Sequence, residues 1–311
     1  MAVIQNKILL IGAGCLGTVV AARLAARHGV SCCDADAGRV RAVRRDGGVC
    51  VDGHRRLIRR VRMETCMSAY KGCVFDAVIV TVKCADVPAA CAAVAKYCDV
   101  KRVLLLQNGA FALEPLADMF PGVSLCRGVT TMAVGRREDG AAEIFFRGRM
   151  WVGGHPEGAR WFGRLFKQAG FDCAVVADYR GAVWAKLIFS AIMNPLPVIL
   201  GRDYMSIRHD KEVYDMVCVA MAEGKAVARA CGIRLAFDPV AMVKGIRSGK
   251  YGQLRHTGSM AADFTNGRPS EIEYMAGVIT AEARRKDIRT PVLDTVLVLI
   301  RGMEKTRGIK R

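Results

Sequence analysis

The chain has 311 residues, 47 Lys plus Arg against 29 Asp plus Glu, and is 52% hydrophobic. At roughly 150 residues per domain this is enough for two domains, each with its own core, and it excludes a disordered or fibrous chain. The net charge of +18 raises nucleic-acid binding, but the arginines are spread along the chain, densest at Arg55 to Arg62, and no zinc-finger, RNA-recognition or basic-zipper pattern accompanies them, so the charge reads as a basic surface suited to anionic small molecules, with no specific nucleic-acid partner.

The N-terminus runs into an apolar strand over 7–12 without a basic leader, so no signal peptide is expected. Gly12-Ala13-Gly14-Cys15-Leu16-Gly17 follows, then a helix from Thr18 to His28 and a strand from Val30 to Cys33 closing on Asp34-Ala35-Asp36. Further strands are predicted at Ala77–Val82, Val103–Leu106, Val123–Val129 and the alternating Glu143–Val152, with a helix at Val87–Tyr97. Cys84, Cys91 and Cys98 recur every seven residues, which predicts one buried side of a helix rather than a metal site. The 13 cysteines contain no C-x-x-C pair and read as reduced thiols of a cytoplasmic protein.

From Tyr179 onward the strand signal fades. Helices are predicted at Val183–Ile192, Glu212–Cys231, Ala241–Gly245, Glu271–Lys286 and Val292–Met303, with Gly232 as a helix stop and Thr290-Pro291 as N-cap and first turn. No uncharged stretch exceeds 15 residues, and the one from Leu187 to Gly201 holds Pro195 and Pro197; a bilayer takes about 20, so no membrane span is expected. The expected architecture is α/β: a Rossmann-type doubly wound sheet over residues 1–178, then an all-helical domain over 179–311 with its active site in the cleft between them. The apolar helical surfaces of the second domain are equally compatible with core and with a homodimer interface.

The glycine motif carries weight from its context, between a strand and a helix. Gly12 permits the tight turn, Gly14 lets the backbone approach a pyrophosphate, and Gly17 allows close helix–strand packing, while the N–H groups around Ala13, Cys15 and Leu16 face the phosphates. Asp36 lies 19 residues after Gly17, where a carboxylate accepts the ribose hydroxyls of NAD and repels a 2′-phosphate. Asp34 serves instead if the strand ends earlier, and Arg39 or Arg41 could hold a 2′-phosphate.

Thr81-Val82-Lys83 and Leu105-Leu106-Gln107-Asn108-Gly109 end two strands, the side on which doubly wound sheets bind ligands. Lys186, Ser190 and Asn194 are spaced to share one side of an otherwise apolar helix, where a lysine is partly desolvated and its pKa falls toward the range useful for proton transfer. Ser259-Met260-x-x-Asp263 and Gly267-Arg268-x-x-Glu271-Ile272-Glu273 complete the set. None of the five histidines has a motif around it.

Together these segments resemble the ketopantoate reductase (2-dehydropantoate 2-reductase) family: G-x-G-x-x-G, V-K at 82–83, L-L-Q-N-G at 105–109, W-x-K-L at 184–187, N-P-L at 194–196, S-M-x-x-D at 259–263, G-R-x-x-E-I-E at 267–273 and T-P at 290–291. The resemblance implies reduction of ketopantoate to pantoate by NADPH, a step toward coenzyme A. It implies Lys186 as general acid, Asn108 beside nicotinamide and substrate, Lys83 near the cofactor, and Asn194 and Ser259 on the substrate. It also implies Glu271 on the cofactor ribose, coupled to the lysine.

Plainer roles stand beside these: a snorkelling Lys186, Asn108 as a turn residue, Glu271 at a helix start, Ser259 as an N-cap. Asp263 and Glu223 read as structural. The chain departs from the family at Ser190, where an asparagine is usual and which also lies on the substrate side, and at Asp36, where a basic residue is frequent. Both departures favour the alternative of an NAD-dependent 2-hydroxyacid dehydrogenase acting on another branched 2-keto acid. A reading of another class is a dinucleotide-binding sensor without turnover.

Overall fold

The computed structural model describes residues 6–48, 61–137, 140–251 and 257–309; Arg55 to Arg60 of the basic cluster, with His54 and His256, lie outside these. The chain divides into two compact units, Met1–Gln107 with Ala112–Tyr179, and Asn108–Phe111 with Arg180–Arg311.

The first unit carries strands β1 (Lys7–Ile11), β2 (Gly29–Cys33), β3 (Arg62–Glu64), β4 (Cys73–Phe75), β5 (Ala77–Val80), β6 (Cys98–Val100), β7 (Arg102–Leu105), β8 (Ser124–Thr130), β9 (Ala133–Arg136), β10 (Ala142–Phe146), β11 (Met150–Gly154) and β12 (Cys173–Val175). Helices α1 (Cys15–Leu24), α2 (Ala37–Arg45), α3 (Val87–Tyr97) and α4 (Pro156–Gln168) belong to it. The main sheet runs β12-β11-β8-β7-β5-β1-β2-β3, parallel except where β11 meets β8. Consecutive buried residues such as Ile8, Leu9, Leu10 and Ile11 are those of a strand covered on both faces. The strand order reverses at β1: β2 and β3 extend one way, β5, β7 and β8 the other. The carboxyl ends of β1 and β5 thus flank the switch point, where a doubly wound sheet offers its ligand crevice.

The alternating segment 143–152 is two strands. β10 pairs with β9 in a separate two-stranded sheet, and β11 joins the main one. Gly148, at φ +54°, breaks the run, and a Cβ there would press on the backbone of Thr131 and Met132. The three evenly spaced cysteines do not share a helix: Cys84 opens a 3-10 turn, Cys91 sits in α3 and Cys98 starts β6. All three are buried, as core residues are.

The second unit contains α5 (Tyr179–Met193), α6 (Pro195–Leu200), α7 (Ser206–His209), α8 (Lys211–Ala230), α9 (Pro239–Arg247), α10 (Gly258–Thr265), α11 (Ala276–Arg285) and α12 (Pro291–Thr306). Tyr179–Leu200 is long and apolar enough to cross a membrane, and 72% of its apolar window is buried inside the protein, as a core helix is. Gly232, at φ +68°, follows the end of α8. The predicted helix over 271–286 is broken into a 3-10 turn, Ile272–Tyr274, and α11. The carbonyl of Tyr274 accepts the N–H of Ala110 at 3.0 Å, which diverts it from helical bonding.

Thr290 and Pro291 open α12, but the Thr290 hydroxyl donates to Asp294 instead of capping. The cap comes from Glu223 of α8, whose two oxygens accept the N–H groups of Val292 and Leu293, both at 3.0 Å. Glu223→Ala is expected to lower stability by about 1–2 kcal/mol while leaving turnover unchanged; chemical denaturation alongside an activity assay checks both.

Candidate active site

Gly12 takes φ +89° directly after β1, and its N–H donates to Cys33 O of β2. A Cβ at Gly17 would collide with the carbonyl oxygen of Gly12 and the hydroxyl of Thr81, so only glycine lets α1 start this close to β1 and β5. Gly14 differs: an added Cβ meets nothing within 4 Å, so its outward side is open. Gly14 is also the N-cap of α1 and contributes no side chain, and the first turn, Cys15 and Leu16 included, holds no acid. An open, uncapped helix N-terminus at a switch point fits the pyrophosphate of a dinucleotide. Lys83 lies just beyond the carboxyl end of β5.

The acidic pair is resolved by its hydrogen bonds. Asp34, the first residue past β2, is buried and accepts the N–H of Ala13 at 2.6 Å, that of Asp36 at 2.9 Å and Nη1 of Arg39 at 2.5 Å. It ties the glycine loop to the end of β2, and its oxygens are committed there. Asp36 caps α2 by accepting the Arg39 N–H at 3.0 Å and pairs with Arg39 Nη2 at 3.2 Å, with half its side chain exposed. The Arg39 N–H and guanidinium hold its carboxyl below the usual range. Sequence reasoning missed Arg136 of β9, whose guanidinium donates to Ala13 O at 3.4 Å from the β9–β10 hairpin; only the tertiary pairing places it there.

In the second unit, Lys186 and Ser190 are buried in α5, and Asn194 is buried at the junction with α6. Burial pushes the Lys186 ammonium down to about 8, and its Nζ lies 4.9 Å from the ring centroid of Phe189. A lysine snorkelling at a surface stays largely exposed, whereas Lys186 as a whole is 9% exposed. The Ser190 hydroxyl is fully buried with no hydrogen-bond partner among the described residues. The Asn194 amide is held between the Tyr204 hydroxyl (3.5 Å) and Met275 Sδ (3.4 Å). Tyr204, another residue without a sequence signal, packs so closely on Gly258 that a Cβ there would strike its hydroxyl, which brings the start of α10 to the Asn194 neighbourhood.

Ser259 is exposed in the first turn of α10, and the N-cap position belongs to Thr257. Asp263 is buried and pairs with Arg268 at 3.2 Å. Glu271 is half-buried just before the 3-10 turn at Ile272, so it does not open a long helix. The segment Asn108–Phe111 clusters with this unit, anchored by the Ala110–Tyr274 bond three residues past Glu271. The structure therefore gathers the phosphate loop, Asp36 and Lys83 in one unit, and Lys186, Ser190, Asn194, Ser259, Glu271 and Asn108 in the other.

Comparison with known proteins gives the same pattern. Residues 8–157 match the family model described as ketopantoate reductase PanE/ApbA, and residues 178–304 its C-terminal model. The 2-dehydropantoate 2-reductase of Pyrococcus horikoshii is 25% identical over 97% of this chain and 99% of its own. The crystal structure of a PanE/ApbA family ketopantoate reductase from Ralstonia eutropha superposes with a TM-score of 0.83 at 26% identity, covering 97% of this chain and 99% of that one. A D-mandelate dehydrogenase solved with NADH and anilino(oxo)acetate shares the fold, with a TM-score of 0.85 at 20% identity over 98% and 100% of the two chains.

Proposed function

The chain belongs to the ketopantoate reductase family of NAD(P)-dependent oxidoreductases, and we propose that it is a cytoplasmic enzyme reducing the 2-keto group of a branched 2-keto acid, ketopantoate first. The observation that carries this reading is Lys186, a buried lysine whose ammonium is pushed down to about 8 on the helix that holds the buried Ser190 and ends one residue before the buried Asn194.

Gly12 to Gly17 and Lys83 would hold a nicotinamide cofactor, which when bound would supply the hydride. Lys186 donates the proton that the ketone oxygen needs as it becomes a hydroxyl, and its charge stabilises the developing alkoxide. Poised near 8, it is protonated at neutral pH yet acidic enough to give the proton up. Asn194, oriented by Tyr204 and Met275, and Ser259 hold the substrate's polar groups. Glu271 binds the cofactor ribose, and Asn108 orients the reacting ends.

The sign of the pH dependence follows from Lys186. Keto-acid reduction needs the ammonium, so kcat is expected to fall as pH rises through about 8, and oxidation of the hydroxy acid to rise over the same range. A reduction rate flat from neutral pH to well above that point would remove Lys186 as the proton donor.

A second reading, an NADH-dependent dehydrogenase for a different 2-hydroxy acid, is favoured by Ser190 and Asp36. The Ser190 hydroxyl is an unused polar group on the Lys186 helix, and its short side chain leaves room that an asparagine would fill. The deciding experiment follows consumption of reduced nicotinamide with ketopantoate, NADPH and NADH side by side. Turnover with NADPH supports the family's reaction, turnover with NADH alone supports the Asp36 argument, and none with either moves the assignment to other 2-keto acids. A cofactor that binds without turnover on any of them would leave the sensor reading.

A further inference from the structure

Among the described residues Arg127 is one of the largest fully buried side chains, on β8 opposite Leu105 of β7. A basic residue inside a sheet core is costly unless its N–H groups are satisfied. At the two terminal nitrogens they are: Nη1 donates to Leu105 O at 2.9 Å and to Gly128 O at 2.7 Å, and Nη2 donates to Gln107 O at 2.9 Å. Carbonyls two residues apart on an extended chain share an edge, and the planar fork of the guanidinium spans that pair as a neighbouring strand would. β7 ends at Leu105. The fork extends its hydrogen bonding past that end and fixes Gln107, the residue from which the chain passes to Asn108. The same stretch is secured two residues later, where the Ala110 N–H donates to Tyr274 O.

We infer that Arg127 is a positioning residue for the reaction, setting the backbone from which Asn108 presents its amide. The inference rests on the proposed role of Asn108 beside the nicotinamide and keto group. The phosphate loop, at the end of β1, makes no use of it, so the loop's hold on the cofactor phosphates is independent of Arg127. Lysine keeps the charge but loses the fork, so it restores the function only in part.

The test is a double-mutant cycle of Arg127→Gln and Asn108→Ala, with Arg127→Lys as a third variant. For each, the dissociation constant for NADH, the thermal midpoint, and kcat and KM for the keto acid are measured well below that midpoint. Arg127→Gln is expected to lower kcat on the order of 10²-fold, the cost of a displacement of about 1 Å in a positioned group, with NADH affinity within about twofold. Arg127→Lys should fall between it and the wild type, and Arg127→Gln should add little to Asn108→Ala. If Arg127→Gln lowers only the thermal midpoint and keeps wild-type kcat, or if its effect multiplies fully with that of Asn108→Ala, the inference is overturned. Should Arg127→Gln not fold, the Arg127→Lys arm decides: wild-type kcat there shows that the fork is not needed. Wild-type kcat in Asn108→Ala alone would instead remove the role assigned to Asn108, an outcome distinct from the others.

Discussion

Lys186→Met is expected to abolish turnover, retain the cofactor and stabilise the fold. The loss of rate combines two contributions, the general acid at roughly 10²–10⁴-fold and the charge opposite the alkoxide at about 10²–10³-fold. Cofactor affinity is expected to stay because the loop proposed to hold the phosphates belongs to the first unit and Lys186 to α5. The gain in stability follows from linkage. Burial lowers the folded-state value to about 8 from 10.5, so the unfolded chain holds this proton more tightly than the native one. At neutral pH the native state therefore carries a penalty of about 3 kcal/mol, which fades as pH rises from about 8 toward 10.5. Methionine has nearly the same shape without the charge, so the variant should melt higher at pH 7, and its advantage should shrink in alkaline buffer. Stopped-assay turnover, NADH titration and melts at two pH values test the three parts separately. A variant that is inactive but no more stable at pH 7 would mean that the native ammonium is better solvated than its burial indicates.

Features set by local spacing were legible in the sequence. The glycine loop is one: strand, turn and helix lie within Lys7 to Leu24, although the atoms that a Cβ at Gly12 would strike belong to Thr81 and Val82, beyond the end of β5. The step from Lys186 to Ser190 is another, because a four-residue spacing is a property of the helix itself; Asn194 falls one residue past the end of α5, its N–H still donating to Ser190 O at 3.1 Å. Features set by distant partners were not legible. The alternation over 143–152 has the period of one strand, but β10 and β11 find different partners on either side of Gly148. The helix predicted from Glu271 has good local composition, yet a bond from Ala110 takes the carbonyl of Tyr274. Arg127 reads as surface charge in sequence and is the fully buried fork between Leu105 and Gln107 in the fold. Tyr204 and Arg136 reach Asn194 and Ala13 only through tertiary packing.

The acidic pair after β2 is an intermediate case. A two-residue uncertainty in where β2 ends leaves Asp34 and Asp36 interchangeable in sequence. The hydrogen bonds separate them: Asp34 is buried and committed to the Ala13 loop, whereas Asp36 is half-exposed at the start of α2. Asp36→Asn is expected to raise the ratio of NADPH to NADH efficiency by about tenfold or more, a change of roughly 1.4 kcal/mol or above. Asparagine still accepts the Arg39 N–H, so the cap on α2 survives and only the charge is removed. The change acts twice, by deleting a carboxylate that repels a 2′-phosphate and by releasing Arg39 Nη2 from its 3.2 Å pairing. Arg39 keeps Asp34 through Nη1, so the guanidinium stays anchored with its other nitrogen free for the phosphate. Arg39→Ala added to Asp36→Asn should then reverse most of the NADPH gain. Steady-state kcat/KM for both cofactors in the single and double variants tests this. A ratio that does not move in Asp36→Asn removes Asp36 as the sorting residue. A gain that persists without Arg39 assigns the effect to lost repulsion alone.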